Sequence, residues 1–312
     1  MGKRVRENTF LKFESVILTI ILILWIIIIS LNRLTYHNNK KGIIPLEKKL
    51  QDTELNIKDK NNKLDEINNN IKKYNNIENS INNTKKEYFN NIKKLEDDII
   101  AGKSDKKIAY ITFDDGPYYN TYRVLDILDE YNVKATFFTI SMNGEYCYDN
   151  KDENCFSIYK EYVLRGHTIA NHTYTHAIFK GLYSSTDSFL DAIDRQDAHI
   201  KEYALGYSPN IVRFPGGSST AKGLKEPIIE GLRERGYGWV DWSANDGDGG
   251  GLSSSEQAWN NFINTINDKI EVILFHDYNY YTTEILPDVI TYLQDNGYEI
   301  YPLFYESSKI NK

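Results

Sequence analysis

With 312 residues, 41% of them hydrophobic, the chain is long enough for one good-sized globular domain plus an accessory segment, and too apolar to be disordered throughout. Its 37 basic residues are outnumbered by 44 acidic ones, giving a net charge of −7, so no chain-wide positive field exists to hold a phosphate polymer and nucleic acid is excluded as the main partner. Glycine (19) and proline (7) are too scarce for a collagen-like or proline-rich chain, and two cysteines cannot form a disulfide scaffold.

Residues 1–15 form a basic leader containing Lys3, Arg4, Arg6 and Lys12. Val16–Leu31 then reads VILTIILILWIIIISL, without a charge. At helical rise this run covers about 24 Å, slightly less than a ~30 Å hydrocarbon core, which puts the flanking Phe13, Leu34 and Tyr36 near the interfaces. A transmembrane anchor over 16–34 is expected. A buried core helix would need apolar surroundings that the polar stretch after it does not supply. A cleaved signal peptide would need a small-x-small site, and the following SLNRLTYHNN has none. The basic leader implies a cytoplasmic N-terminus and an extracellular remainder at the cell membrane, with Arg33, Lys40 and Lys41 weakening the charge asymmetry.

Residues 35–104 read as a polar helical stalk or linker. Between Leu46 and Ile100 the chain is rich in Asn, Lys, Asp and Glu and contains neither Pro nor Gly. Ile57, Leu64 and Ile71 recur every seven residues, as do Ile67, Tyr74 and Ile81, which is the two-position seam of a coiled coil and implies a homo-oligomer through the stalk. A partly disordered spacer is the alternative, because Asn lowers helix propensity. Fully helical, the segment would reach about 80 Å.

From 105 to 306 short β-prone runs alternate with amphipathic stretches, and 307–312 are a tail. IAYITF (108–113), ATFFTI (135–140), NIVRF (210–214), YGWVDW (237–242) and EVILFH (271–276) read as strands; Arg123–Tyr131, Ser188–Leu205, Lys225–Arg235, Gln257–Ile266 and Glu284–Asn296 read as helices. The alternation predicts a parallel α/β sheet with right-handed crossovers, open or closed into a barrel, with its chemistry at the strand C-termini. Polar clusters do follow the apolar runs there: DDGP, RFPGG and His276-Asp277.

His172 and His176 stand four apart in NHTYTH, a spacing that on a helical turn lets two neutral imidazoles bind one divalent ion; a surface or capping pair is the other reading. A third ligand is available in Thr112-Phe113-Asp114-Asp115-Gly116-Pro117. Adjacent strand residues face opposite ways, so both carboxylates enter one pocket only if the chain turns at Gly116-Pro117. One carboxylate can then join a metal while the other takes a proton from water; a simple Asp-Gly-Pro turn is the alternative. Arg213, in RFPGG, needs a carboxylate partner if buried. His276 emerges from an apolar strand as a catalytic or a structural imidazole.

Across roughly Lys106–Tyr305 these residues resemble the polysaccharide deacetylase family, the NodB-like carbohydrate esterases. Thr112–Pro117 is similar to that family's TFDDGP motif, His172–His176 to H-[ST]-x-[ST]-H, Arg213–Gly217 to its arginine-proline motif, and Leu274-Phe275-His276 to LxH. The resemblance implies a distorted (β/α)7-type barrel with Asp115, His172 and His176 as metal ligands, Asp114 as general base, His276 as acid and Arg213 as the partner of Asp114. It also implies that Asp248 tunes His276 and that Leu274 lines a pocket for the acetyl methyl. Gly216 would offer a backbone donor to the oxyanion, and Trp242 would help line the groove. Gly249 stands where many relatives have Trp and Asn245 where many have Asp, which leaves Trp242 or Tyr278, Tyr280 or Tyr281 to form the wall. The implied cofactor is a divalent metal, Zn²⁺ before Co²⁺. The implied reaction is removal of N-acetyl groups from N-acetylglucosamine in peptidoglycan, releasing acetate, with chitin-like or poly-N-acetylglucosamine glycans as alternatives.

Three rivals use the same residues. A non-haem iron oxygenase shares the two-His-one-carboxylate set but conflicts with the helical alternation. A glycosidase needs carboxylates about 5 Å or more apart across a glycosidic bond, which adjacent acids fit poorly. A non-catalytic wall-binding module would not require base, acid and metal positions together. Among the remaining residues, Cys147 and Cys155 allow a disulfide or two free thiols in an exported domain, His167 reads as structural, and His199 reads as part of a solvated helix face.

Overall fold

A computed structural model of the chain describes residues 17–28, 40–141, 156–305 and 307. The chain divides into two compact units, Met1–Glu87 and Tyr88–Lys312. Helix α1 covers residues 17–28 and leaves Leu18, Leu22 and Trp25 exposed. Among the described residues no helix is long and apolar enough to cross a membrane. Residues 16 and 29–34 of the expected anchor lie outside the described residues, as do Cys147 and Cys155.

Helix α2 runs unbroken for 61 residues, Lys40–Ile100, so the Asn-rich composition does not interrupt it. Its last turns, from Tyr88, belong to the second unit. There Ile92 and Ile99 are buried, Phe89 stacks on Phe304 with ring centroids 4.6 Å apart, and the Tyr110 hydroxyl donates to the buried Glu96. A stretch that reads as polar stalk by composition therefore helps to build the compact unit.

Among the described residues eight strands follow: β1 (Lys107–Asp114), β2 (Thr136–Thr139), β3 (Thr168–Asn171), β4 (Ile211–Val212), β5 (Gly238–Trp239), β6 (Ala244–Asn245), β7 (Ile270–His276) and β8 (Tyr298–Ile300). Helices α3 (Thr121–Glu130), α4 (Ser157–Leu164), α5 (Thr186–Tyr203), α6 (Lys225–Glu234), α7 (Ser255–Thr265) and α8 (Tyr280–Asp295) lie between them. The strands form one curled sheet in the order β5-β4-β3-β2-β1-β7-β6, every pairing parallel, so the fold is a half-barrel rather than a closed barrel. Strand β1 is its centre. It pairs with β7 from Ile108 to Asp114 on one edge, and on the other with β2 at Thr112–Asp114 and β8 at Lys107–Ala109.

Period-two alternation sorts the side chains. Ala109, Ile111 and Phe113 of β1 join Phe137, Ile169, Ile273 and Phe275 against helix residues such as Leu125, Leu128, Leu286 and Val289. The opposite phase, Ile108, Tyr110, Phe138, Ala170, Ile211 and Val272, packs with Ile92, Ile99, Leu303 and Phe304. The first face is therefore covered by helices, while the second is plugged at one end by α2 and the chain's C-terminal residues.

Replacing Ile92 and Ile99 together by Ala is expected to lower the unfolding free energy by about 4 kcal/mol or more. Ile71→Ala on the exposed part of α2 should change it by less than about 0.5 kcal/mol. Urea unfolding of the three chains makes the comparison, and equal midpoints would remove α2 from the domain core.

Candidate active site

The phase that places Ile108 and Tyr110 in the second cluster carries Thr112 and Asp114 to the same face at the end of β1. The same step takes β7 from Val272 through Leu274 to His276, whose Cα is in register with that of Asp114. It takes β3 from Ala170 to His172 and β4 from Ile211 to Arg213. Four polar side chains from four strands thus reach one rim, at the strand C-termini.

Asp115 is out of phase with Asp114, and its backbone corrects this. Its φ of 69° is left-handed, an uncommon conformation for a non-glycine residue, so the chain turns at Asp115 itself, ahead of the expected Gly116-Pro117 position. Gly116 lets Asp277 approach closely, because a Cβ there would lie 2.7 Å from Asp277 Oδ2 and would force that buried side chain to shift. The two histidines differ from expectation in the same way. His172 directly follows β3 and His176 lies in a loop, so no helical turn relates them. Left-handed Thr173 (φ 67°) and His176 (φ 49°) bend the chain instead. Asn171 Oδ1 accepts the Thr173 N–H at 2.9 Å and Thr173 Oγ1 accepts the His176 N–H at 3.2 Å, which holds that bend.

His172 Nδ1 lies 2.8 Å from the Arg213 carbonyl oxygen. A carbonyl only accepts, so Nδ1 carries the hydrogen and Nε2 keeps its lone pair. That Nε2 is 3.6 Å from Asp115 Oδ1, and His176 Nε2 is 3.7 Å from the same oxygen. The three ligand atoms lie within 4.8 Å of one another. Ligands about 2.1 Å from a tetrahedral Zn²⁺ sit roughly 3.4 Å apart, so this donor set fits such an ion with little movement. Burial, followed by the neighbouring His176, pushes the His172 pKa down to about 3, which keeps the imidazole neutral, as a metal ligand must be.

Asp114 is buried and paired with Arg213, whose Nη1 donates to Asp114 Oδ1 at 2.8 Å and to Thr112 Oγ1 at 2.7 Å. The same guanidinium donates to the carbonyls of Val240 (3.3 Å) and Asp241 (3.1 Å) and lies 4.1 Å from the Phe138 ring centroid. Arg213 is itself wholly buried, and these partners are what make that tolerable. Burial raises the Asp114 pKa above the usual carboxylate range, and Arg213 opposes the rise. Asp114 Oδ2 stays 3.6 Å from His172 Nε2, facing the three-ligand cluster.

On the other side, His276 Nδ1 meets Asp248 Oδ1 at 2.8 Å, and the His276 N–H donates to Asp248 Oδ2 at 2.6 Å. His276 Nε2 points inward, 3.8 Å from Asp115 Oδ2. Burial disfavours the imidazolium, yet the hydrogen bond and charge of Asp248, then the charges of Asp115 and Asp114, raise its pKa to about 9. A buried carboxylate with a paired cation and a protonated imidazole therefore flank one cation-sized cluster, which is an arrangement for general-base and general-acid chemistry.

The sequence profile of the polysaccharide deacetylase family matches residues 101–232. A peptidoglycan-N-acetylglucosamine deacetylase of Bacillus cereus is 28% identical over 211 residues, 65% of this chain and 71% of that relative. The solved catalytic domain of a peptidoglycan N-acetylglucosamine deacetylase from Eubacterium rectale is 33% identical, with a TM-score of 0.58 over 64% of this chain and 90% of that one. The chain belongs to the polysaccharide deacetylase family. A polysaccharide deacetylase from Bacillus cereus, 28% identical, superposes with a TM-score of 0.57 over 65% of this chain and 94% of its own.

The profile match ends before Asp248 and His276, so their pairing stands on the geometry given above. Around this deacetylase site, Gly249 leaves space beside His276, as a Cβ there would lie 3.4 Å from Cε1. Of the three tyrosines considered for the groove wall, Tyr278 is the one beside His276, with ring centroids 5.2 Å apart; Tyr280 is exposed and Tyr281 packs on the core. Trp242 lies against Gly217, where a Cβ would be 3.2 Å from Cη2, and its ring is 5.9 Å from the Arg213 guanidinium. Leu274 is buried two residues before His276 on the inward phase of β7. Gly216 has a φ of 73°, and a Cβ there would crowd Ile178 and Thr220 at 3.1 Å.

Several residues support the site without having been assigned a role from the sequence. Thr112 and the Asp241 carbonyl hold Arg213, and the Asp241 carboxylate accepts the Ser218 N–H at 2.9 Å and its hydroxyl at 2.5 Å. Asp277 is buried beneath Gly116, accepts the Thr121 hydroxyl at 2.5 Å, and is pushed up to about 7 by burial. His167 is buried, its Nδ1 accepting the Ala135 N–H at 3.1 Å. His199 is not on a solvated face: it is half-buried among Phe156, Tyr159 and Tyr203, because α5 turns that side toward α4.

Arg213→Met removes the cation and leaves Asp114 in a dry pocket. It is expected to lower the unfolding free energy by about 3 kcal/mol or more. Loss of the cation also raises the pKa of Asp114 further, so the acid limb of the pH–activity profile, where the carboxylate becomes protonated, moves to higher pH. Denaturant unfolding and rates between about pH 5 and 9 check both; an unmoved acid limb would separate Asp114 from the base role.

Proposed function

We propose that the chain is a metal-dependent deacetylase of a cell-surface amino-sugar polymer, and that its substrate is N-acetylglucosamine in peptidoglycan. The observation that carries the reading is the convergence of Asp115, His172 and His176 within 4.8 Å, flanked by Asp114 on one side and His276 on the other. The two named relatives that act on peptidoglycan N-acetylglucosamine supply the substrate class.

Asp115, His172 and His176 would hold the ion, with Zn²⁺ fitting the nitrogen-and-oxygen donor set and Co²⁺ the alternative. Such an ion supplies Lewis-acid polarisation of the amide carbonyl and makes water more acidic. Asp114, ionised and aimed by Arg213, accepts the proton of the attacking water through Oδ2. His276 gives its Nε2 proton to the leaving amine, and Asp248 keeps the ring oriented and protonated for that transfer. A backbone N–H near Gly216 would add a donor to the developing oxyanion, worth about 3 kcal/mol. Leu274 would meet the acetyl methyl group, with Trp242 and Tyr278 bounding the sugar.

The reading includes an anchor over 16–34 and an extracellular catalytic domain. The uninterrupted apolar run and the outward-facing Leu18, Leu22 and Trp25 of α1 support it. Ile67, Ile71, Tyr74 and Ile81 are exposed on α2 in the seven-residue series, which supports pairing with a second copy along a stalk.

Two experiments test the proposal. Purified wall digested after exposure to the enzyme is expected to show more glucosamine-containing muropeptides together with released acetate. A chelator should abolish both, added Zn²⁺ should restore them, and Asp114→Asn should lower the rate by at least about a hundredfold; unchanged muropeptides would refute the peptidoglycan assignment. On fractionation of cells, the full chain should stay with the membrane through alkaline washing, whereas a chain starting at Tyr88 should not.

A further inference from the structure

The polar groups behind His276 continue past Asp248. Asp246 is fully buried; its Oδ1 accepts the Asp248 N–H at 3.2 Å, and its Oδ2 lies 2.6 Å from Thr282 Oγ1. Thr282, buried in the first turn of α8, also lies 3.2 Å from Asp248 Oδ2, the oxygen that takes the His276 N–H. The loop is wedged from α7, where Asn261 donates to the Asp246 carbonyl at 2.9 Å and fills the space a Cβ on Gly247 would need. Asn279 caps α8 by accepting the Tyr281 N–H at 3.0 Å, and so fixes where the first turn of that helix presents Thr282.

Two carboxyl groups in one dry pocket do not both ionise readily. The groups facing Asp246 are Asp248 on its own loop, Thr282 from α8 and Asn261 from α7; the cation of the cluster, His276 on β7, is bonded to Asp248. A hydroxyl has one hydrogen, so Thr282 cannot donate to Asp246 and to Asp248 at once.

We infer that Asp246 is a neutral carboxylic acid and a positioning residue: its Oδ2–H donates to Thr282 Oγ1, Thr282 donates to Asp248 Oδ2, and the Asp248 carboxylate that orients His276 is thereby fixed. The pair then carries one proton and one negative charge. Asp248 is held by the His276 imidazole, the His276 N–H and the Thr282 hydroxyl together, and the Asp248 N–H is held by Asp246. Burial, followed by the charge of Asp248, pushes the Asp246 carboxyl up to about 7, which agrees with a proton retained there. The inference deepens the deacetylase reading and rests on it for the meaning of His276, though not for the state of Asp246.

The test has two arms on the intact chain. The infrared difference spectrum of wild type minus Asp246→Asn at about pH 6, below the raised carboxyl, is expected to show the C=O stretch of a protonated carboxylic acid; absence of that band overturns the inference. No substrate enters this arm, so it decides the state of Asp246 even if no acetate is ever released. In the second arm, Thr282→Val is expected to lower kcat for acetate release about tenfold with KM little changed, and Thr282→Ser to recover most of it. A Val variant as fast as wild type, or a Ser variant as slow as Val, overturns the relay.

Discussion

Arg213 touches both halves of the site, and the rest of the arrangement follows from its burial. Its carbonyl oxygen fixes the His172 tautomer that leaves Nε2 open, while its guanidinium holds Asp114 at 2.8 Å. A fully buried guanidinium is tolerable only with its donors used, and Thr112, Asp114, Val240 and Asp241 use them. Strands β1 and β4 and the chain after β5 are therefore bound to one side chain. Ligand geometry and base geometry cannot drift independently.

The electrostatics divide the site in two. Around Asp114 a cation stands against a carboxylate whose pKa burial has raised, and around His276 a carboxylate stands against an imidazolium that burial alone would discharge. Each working group is poised by a partner of opposite charge beneath it, away from the face it presents to the three-ligand cluster. A carboxylate base and an imidazolium acid are thus held at neighbouring strand ends, and the raised His276 pKa keeps the acid protonated at a pH where an ordinary imidazole would be neutral.

The parts legible in the sequence are those where an apolar strand ends abruptly in polar residues. TFDDGP, RFPGG and the LFH run each contain their own strand end, so period-two alternation places Asp114, Arg213 and His276 without further information. The HTYTH spacing was legible as a pair but not as a geometry, because left-handed Thr173 and His176 replace the helical turn that four-residue spacing suggests. Strands β3, β6 and β8 were not read from the sequence, and length alone does not account for this, since the equally short β2, β4 and β5 were found inside the longer runs ATFFTI, NIVRF and YGWVDW. The last turns of α2 were hidden for another reason: the seven-residue series that marks a stalk continues through Tyr88, Ile92, Leu95 and Ile99, where it faces the sheet and the C-terminal residues instead. Asp277 was visible only as part of a polar strand end and Asp246 not at all, since the role of each depends on contacts with residues far along the chain.

Strand β1 has a consequence for how the molecule is made. It precedes the other described strands, yet it completes its pairing only with β7 and β8, the last of them, so that Ile108 must wait for Ile270 and Lys107 for Tyr298. Loop closure on that scale means that the rim bearing Asp114 and His276 can exist only once β7 has been made and has returned to β1. Until those segments pair, the acid and the base belong to separate parts of the chain.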